Sequence, residues 1–536
     1  MKVSLFIFSV FLLVNCRPSE GDLESAPIIP KPVLVESGGD YFEIDKSTDI
    51  FIDGHSPSLN AIAQYLQKKL RPAMGFTLKI KTISTKPETG IYFTQSADAS
   101  LGEEGYQISI SEDLIVISCY KPAGAFIAVQ TIRQLLPPSI ERNSKQSLSW
   151  KIATGKIVDT PSYSYRGVML DVARHFFSVA EVKKFIDLIA AYKINVLHLH
   201  LSDDQGWRIE IKSWPNLTAH GGKTEVGGGK GGFYTQEQYK EIIQYAQENF
   251  ITIIPEIDMP GHINSALASY GELNGGTIVP AEGRVAIEAT TNKILDGKTK
   301  PTELYTGIRV GWSTLRLEKK STFQFVEDVV REISAITPGP YFHIGGDEAQ
   351  VTKKEDYIKF INRFREIVKA NGKKMIGWEE IAQADINEDV VTQHWNATKY
   401  AIAANEKGSK LIMSPAKKAY LDMSYDSTSK FGLHWAAYIE VDSAYQWSPS
   451  KIIDEISKEN VLGIEAPLWS ETISNMDEVE YLLFPRLLGY AEIGWSKEEN
   501  RNWNEYKIRL GKHAPRFEAQ KINFYKSNRV PWANSK

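Results

Sequence analysis

From Pro161 to Trp495 short apolar runs alternate with stretches of helical spacing, and this rhythm restricts the possible folds more than any other feature of the chain. The runs are Arg166 to Leu170, Val196 to Leu201, Ile251 to Ile257, Tyr341 to Ile344, Lys374 to Gly377, Val390 to Gln393, Lys410 to Met413 and Val461 to Ile464. Ser178-Val179-Ala180-Glu181 is a capping box, and Val182, Phe185, Ile186 and Ile189 behind it share one helical face. Thr235-Gln236-Glu237-Gln238 repeats the signal before Tyr239, Ile242, Ile243 and Ala246. Eight strands joined by helices predict an α/β fold, a closed (β/α)8 TIM barrel over residues 160–500. The span exceeds a minimal barrel, and its longest insertion, Gly271 to Trp312, falls between the third and fourth strands.

In such a barrel the strand ends converge on one face, so the residues just after each run carry the chemical information. They are unusually polar: Asp171 and Arg174, Asp203-Asp204, Glu256, Asp258 and His262, then Asp347-Glu348 after Gly345-Gly346, Glu379-Glu380, His394, Tyr420 and Asp422, and lastly Glu465 and Glu471. Adjacent carboxylates in a cleft repel one another and lose solvent, which drives their protonation equilibria apart and suits them to acid and base roles. Read alone, Asp347-Glu348 fits a helix N-terminus equally well. The tryptophans shift the balance. Trp207, Trp378, Trp395 and Trp469 follow strand-like runs, and indole faces stack on the apolar faces of sugar rings.

Residues 33–155 read as a separate, smaller α+β domain, with helical spacing over Leu59 to Leu70 and Gly124 to Leu136 and strand alternation at Tyr106 to Ile110 and Leu114 to Ile117. Residues 501–536 read as a closing helical segment. Met1-Lys2 followed by the apolar Val3 to Val14 is too short to span a bilayer and reads as an export signal over residues 1–16. It ends Leu13-Val14-Asn15-Cys16, which resembles a bacterial lipoprotein box, although Asn15 stands where such boxes carry Gly, Ala or Ser. That resemblance implies a lipid on Cys16, residues 17–32 as a flexible tether, and residence in the periplasm or outer membrane of a Gram-negative cell. Cys119 is then left without a partner, so no disulfide is expected, and its apolar setting predicts a buried, inert thiol. A net charge of -4 gives no case for a nucleic-acid partner.

Taken together, Arg166 to His175, His198 to Trp207, Pro260-Gly261-His262, His343 to Glu348, Gly377 to Glu380 and Trp469-Ser470-Glu471 resemble, in order, the motifs of glycoside hydrolase family 20, the β-N-acetylhexosaminidases. The resemblance covers the barrel closely and the first domain loosely. It implies an exo-acting, retaining hydrolase that removes terminal N-acetylglucosamine or N-acetylgalactosamine from an oligosaccharide without metal or cofactor, the substrate's own acetamido oxygen serving as nucleophile. Carried over residue by residue, it implies that Glu348 is general acid and base, Asp347 receives the acetamido N–H, and Tyr420 holds the acetamido oxygen. Trp378, Trp395 and Trp469 are to wall the acetyl pocket, Arg174 and Glu471 to bind hydroxyls with Asp422 and Trp435, and Asp203 and His262 to support Glu348. A lacto-N-biosidase and a non-catalytic carbohydrate-binding lipoprotein are the alternatives.

Other readings compete at single positions. His198 and His200 alternate on a strand as a metal pair would, but Leu197, Leu199 and Leu201 share it and no later ligand set matches, which favours hydrogen-bonded core or rim histidines. The glycines from Gly227 to Gly232 lack a phosphate-loop ending and read as a loop. Asp204, Glu380 and Trp207 read as structural, and Arg166 as an anchor of the barrel wall or of the domain contact.

Overall fold

The structure, a computed structural model, describes residues 21–285 and 300–534. The expected leader, Cys16 and the first part of the expected tether lie outside the described residues, as do residues 286–299 of the long insertion. Among the described residues no helix is long and apolar enough to cross a membrane.

Leu34 to Asp159 build a seven-stranded mixed sheet, with the helices Pro57–Met74 and Pro122–Leu135 packed against it. Ser56 caps the first helix and Gly75 ends it in the left-handed conformation, so its buried Leu59, Ile62, Leu66 and Leu70 face the sheet as one stripe. Cys119 is wholly buried at the end of a strand, and desolvation lifts its thiol to about 11. Residues 21–32 do not form the tether expected of them. Leu23, Ile28 and Ile29 are buried, Ile29 N–H donates to Gln134 Oε1 at 2.9 Å, and Lys31 pairs with Glu505 at 2.7 Å. Three large apolar side chains in a stretch otherwise polar are reason enough for it to pack.

Eight parallel strands close the second unit into a barrel: Tyr165–Asp171, Val196–His200, Thr252–Glu256, Tyr341–His343, Lys374–Trp378, Val390–His394, Lys410–Met413 and Val461–Leu468. They are the eight runs read from the sequence, and the first pairs with both the second and the eighth to complete the ring. Both expected capping boxes form, at Ser178 with Glu181 and at Thr235 with Gln238. Inside the barrel, Tyr165, Val196, Ile254, Ile376, Val391 and Ile412 make an apolar layer near the strand starts. One pleat on, the inward positions turn polar: His198, Glu256, His343, Gln393 and Glu465, all buried. The two units meet through charged groups. Arg166 binds Glu104 with both guanidinium nitrogens, at 2.9 and 2.7 Å, and Trp495 Nε1 donates to Asp159 at 2.9 Å. Arg166 is therefore the domain anchor expected.

Candidate active site

The fourth strand stops at His343, and the backbone then folds sharply: Gly345, Gly346 and Glu348 have φ of 66°, 94° and 45°. At Gly345 a Cβ would lie 1.9 Å from Asp258 Oδ1, so only glycine fits there. Asp258 accepts the Gly346 N–H at 2.9 Å, and the Tyr357 hydroxyl donates to Gly346 O at 2.6 Å. Glu348 has a Cβ and still adopts the left-handed region, a conformation that costs about 1 kcal/mol or more and persists only where surrounding contacts enforce it. His262, at φ 50°, is a second such residue, and the two meet: His262 Nε2 is 3.3 Å from Glu348 Oε2 and 3.8 Å from Asp347 Oδ2.

Behind His262 stands Asp203, 3.3 Å from its Nδ1 and 2.7 Å from an Arg174 nitrogen. Burial alone would raise Asp203, but Arg174 and His262 outweigh it and hold the carboxyl well below the usual range. Burial would likewise lower His262, and Asp203 with Asp347 reverses this, so the ring is cationic at neutral pH. Asp347 is raised, first by burial and further by the charge of Glu348, although His262 opposes the shift. Asp258 is raised well above the ordinary aspartate, by burial and then by the charge of the neighbouring Asp347.

These groups open into a cavity of about 430 Å³ at the strand ends. Of the expected residues, Arg174, His262, Asp347, Glu348, Trp395, Tyr420, Asp422, Trp435, Trp469 and Glu471 line it. Trp378 and Asp203 lie one layer deeper, 1 % and 0 % exposed. The Trp378 ring centre is 5.8 Å from that of Trp469, so Trp378 backs that wall. Tyr420 lies between Trp435 and Trp469, at 6.0 and 6.3 Å between centroids, and Trp435 stands 57 % exposed at the mouth. Burial and then the Asp347 charge hold the Tyr420 phenol well above its ordinary value, so it is an O–H donor. Asp171 accepts the backbone N–H groups of Ala173, Arg174 and Ser470, tying together the loops after the first and last strands.

Several buried polar atoms of the lining have no hydrogen-bond partner among the described residues: Asp347 Oδ1, both Asp422 oxygens, Glu471 Oε2 and Arg174 Nε. An orphaned buried polar atom costs about 1–3 kcal/mol, so a set of them facing one cavity marks a site shaped for a ligand rich in hydroxyl and amide groups.

Some assignments fell differently from expectation. Of the neighbouring acids, Glu379 is the structural one, accepting backbone N–H groups of Trp395, Asn396 and Ala397. Glu380 instead accepts the Trp395 indole N–H at 3.2 Å and lines a second cavity of about 440 Å³ that shares Glu348 and Trp395 with the first. Asp204 is structural as expected, bound by Ser313 and the Asn264 N–H, and Trp207 is core. Ile308, Val310 and Leu433 line the main cavity and were missed, because the long loops that bring them there have no periodicity to read.

Three buried groups place donor atoms as a metal site would: His198 with Glu256 and His343, Asp203 with Asp204 and His262, and Asp258 with His262 and Asp347. Asp203 faces Arg174, His200 and His262, an environment that repels a further positive ion.

Residues 163–498 match the family model described as glycosyl hydrolase family 20, catalytic domain, and residues 25–160 match the family 20 domain 2 model. A curated beta-N-acetylhexosaminidase of Cellulomonas fimi is 35% identical over 94% of this chain and 97% of its own length. A beta-hexosaminidase of Porphyromonas gingivalis is 33% identical over 93% of this chain and 64% of its own. Among solved structures, the GH20 beta-N-acetylhexosaminidase from Streptomyces coelicolor A3(2) superposes with a TM-score of 0.88 at 44% identity, covering 95% of this chain and 99% of that one. A variant Streptomyces plicatus beta-hexosaminidase in complex with product GlcNAc matches with the same score and identity, over 95% of this chain and 98% of that one.

Proposed function

The chain belongs to glycosyl hydrolase family 20, and on that premise we propose how it acts as a β-N-acetylhexosaminidase, a retaining hydrolase of terminal 2-acetamido sugars in oligosaccharides. The observation that carries the reading is the row of orphaned polar atoms beside Asp347 and Glu348 in an indole-walled cavity.

The terminal sugar enters with its hydroxyls toward Arg174, Asp422 and Glu471, whose unpartnered atoms are a donor and acceptors of the right kind. Its acetamido group turns back beneath the anomeric carbon. Tyr420 donates its O–H to the acetamido oxygen, Asp347 accepts the N–H, and Trp395 and Trp469, backed by Trp378, enclose the methyl group. Glu348 protonates the glycosidic oxygen while the acetamido oxygen attacks the anomeric carbon. The bond to the leaving group breaks, and a cyclic oxazolinium forms whose charge Asp347 balances. Glu348, now ionised, takes a proton from water, which attacks the same carbon and reopens the ring with configuration retained.

This mechanism requires the 2-acetamido group. Matched nitrophenyl β-glycosides with and without it test the requirement: the acetamido compound should turn over at least about 10³-fold faster, and equal cleavage of the plain glucoside would refute the reading. The cationic His262, held by Asp203 and close to both catalytic carboxylates, fits turnover rather than binding alone. From the leader we also propose that Cys16 carries lipid and holds the enzyme at a membrane. A Cys16→Ser variant should then move to the soluble fraction, and its retention on membranes would end that proposal.

A further inference from the structure

The polar layer beneath the cavity is one connected set of charges. Glu256, fully buried on the third strand, has its Oε2 2.5 Å from His200 Nδ1 and 3.1 Å from His198 Nε2, while its Oε1 accepts the Trp378 indole N–H at 2.8 Å. On one side His198 Nδ1 reaches Glu465 at 2.9 Å, and Glu465 is held by the Tyr165 hydroxyl and by Gln393 Nε2 at 2.7 Å. On the other, His200 Nε2 reaches Asp203 Oδ2 at 2.8 Å, and Asp203 leads to His262 and so to Glu348. Burial opposes the charged form of both histidines. Glu256 with Asp203, and Glu465 with Glu256, overcome it and lift His200 to about 10 and His198 to about 9.

Stability does not explain such a layer. A buried ion-pair cluster is commonly no better than well-packed apolar residues of the same volume, and this barrel already has an apolar layer one pleat below. The connectivity of Glu256 does explain it. One carboxylate oxygen fixes Trp378, which backs the Trp469 wall; the other fixes His200, which orients Asp203.

We propose that Glu256 is a positioning residue for the reaction: it holds the wall that receives the acyl group and the Asp203–His262 pair beside Glu348 from a single point, and so keeps pocket and proton donor in register. The inference rests on the reading of Glu348 as general acid.

The two arms have separate signatures. Misplacing the proton donor slows poor leaving groups more than good ones, whereas loosening the Trp378 wall relaxes selectivity between N-acetyl and the larger N-propanoyl substrates. Glu256→Leu keeps much of the volume and removes both acceptor oxygens, so Trp378 and His200 lose their common anchor. It should lower kcat about 10²-fold on a disaccharide, the cost of a misplacement near 1 Å, but only a few-fold on a dinitrophenyl glycoside, and should also relax N-acyl selectivity. His200→Gln keeps a donor toward Asp203 and should shift the leaving-group ratio alone. Trp378→Phe removes the N–H and should shift N-acyl selectivity alone. Glu465→Gln removes an equally buried charge from the far side of His198 and should alter neither ratio.

If folded Glu256→Leu lowers both leaving-group classes by one factor and keeps its N-acyl selectivity, the proposal is overturned. Should that variant fail to fold, His200→Gln and Trp378→Phe decide, and a shift in neither ratio overturns it. Glu348→Gln, measured alongside, separates the two layers of argument: if it shows no leaving-group dependence, the assignment of the acid has failed, not that of Glu256.

Discussion

Replacing Asp347 by Asn keeps its size and an oxygen able to accept an N–H, and removes one charge. In the proposed mechanism the positive charge that appears on ring closure lies roughly 4 Å from the carboxylate, one hydrogen bond and one further atom away. At an effective dielectric near 20, a pair at that separation is worth about 4 kcal/mol. The structure argues for slightly less. Asp347 is only 8 % exposed, so water screens little, but the cationic His262 already lies 3.8 Å from the same carboxylate. A loss of about 3 kcal/mol corresponds to roughly a 10²-fold fall in kcat. Because the missing charge acts on ring closure, nitrophenyl and disaccharide substrates should fall together. The pH profile provides an independent check. Burial and the Glu348 charge raise Asp347, so in the wild type the acid limb of kcat/KM should sit above the ordinary aspartate range, as protonation removes the charge that balances ring closure. His262, Asp258, Glu348, Glu380 and Tyr420 all act on that carboxylate, and Asn abolishes its titration and should flatten the limb. Steady-state kinetics from pH 4 to 8 decide the matter. A variant within threefold of wild type, or one whose acid limb is unchanged, would refute the role given to this charge.

Glu348→Gln should lose about 10²–10⁴-fold on a natural disaccharide and far less on a dinitrophenyl glycoside, which needs no protonation; parallel kinetics on the two substrates check it. Gly345→Ala should destabilise by about 3 kcal/mol or more, since its Cβ meets Asp258 at 1.9 Å and its φ is 66°, and the melting temperature should fall by several degrees. His513 is lowered to about 3 by burial and then by Arg516 and Arg509, so it is neutral when folded. Between its ordinary 6.5 and that value only the unfolded chain takes up the proton, so this contribution is complete above about pH 6.5 and is lost as the pH falls, by up to roughly 5 kcal/mol. His513→Gln, which keeps a donor for Pro27 O, should show a shallower loss of stability from pH 6.5 to 4 in urea titrations.

The barrel was legible because its strands differ sharply from what surrounds them: short apolar runs, each closed by polar residues, with capping boxes marking two of the helices. Gly345-Gly346 before Asp347-Glu348 was legible for the same local reason, since only a sharp turn calls for two glycines there. Which side of a strand faces the barrel interior was not. Alternation shows that His198 and His200 share a face, but a parallel strand is covered on both faces, so nothing in the residue order says whether that face meets helices or the barrel axis. The same limit hid Glu256 and Glu465, read as strand-end residues and found as the charged layer below the site. Ile308 and Val310 reach the cavity from a long insertion, and residues 21–32 pack because partners hundreds of residues away offer them a surface. Sequence therefore determined the elements and the acids at their ends, both properties of near neighbours along the chain. The cavity's walls, the meeting of Asp258 with Asp347, and the ionic support beneath them were decided only by closure of the barrel, which brings eight distant strand ends within reach of one another.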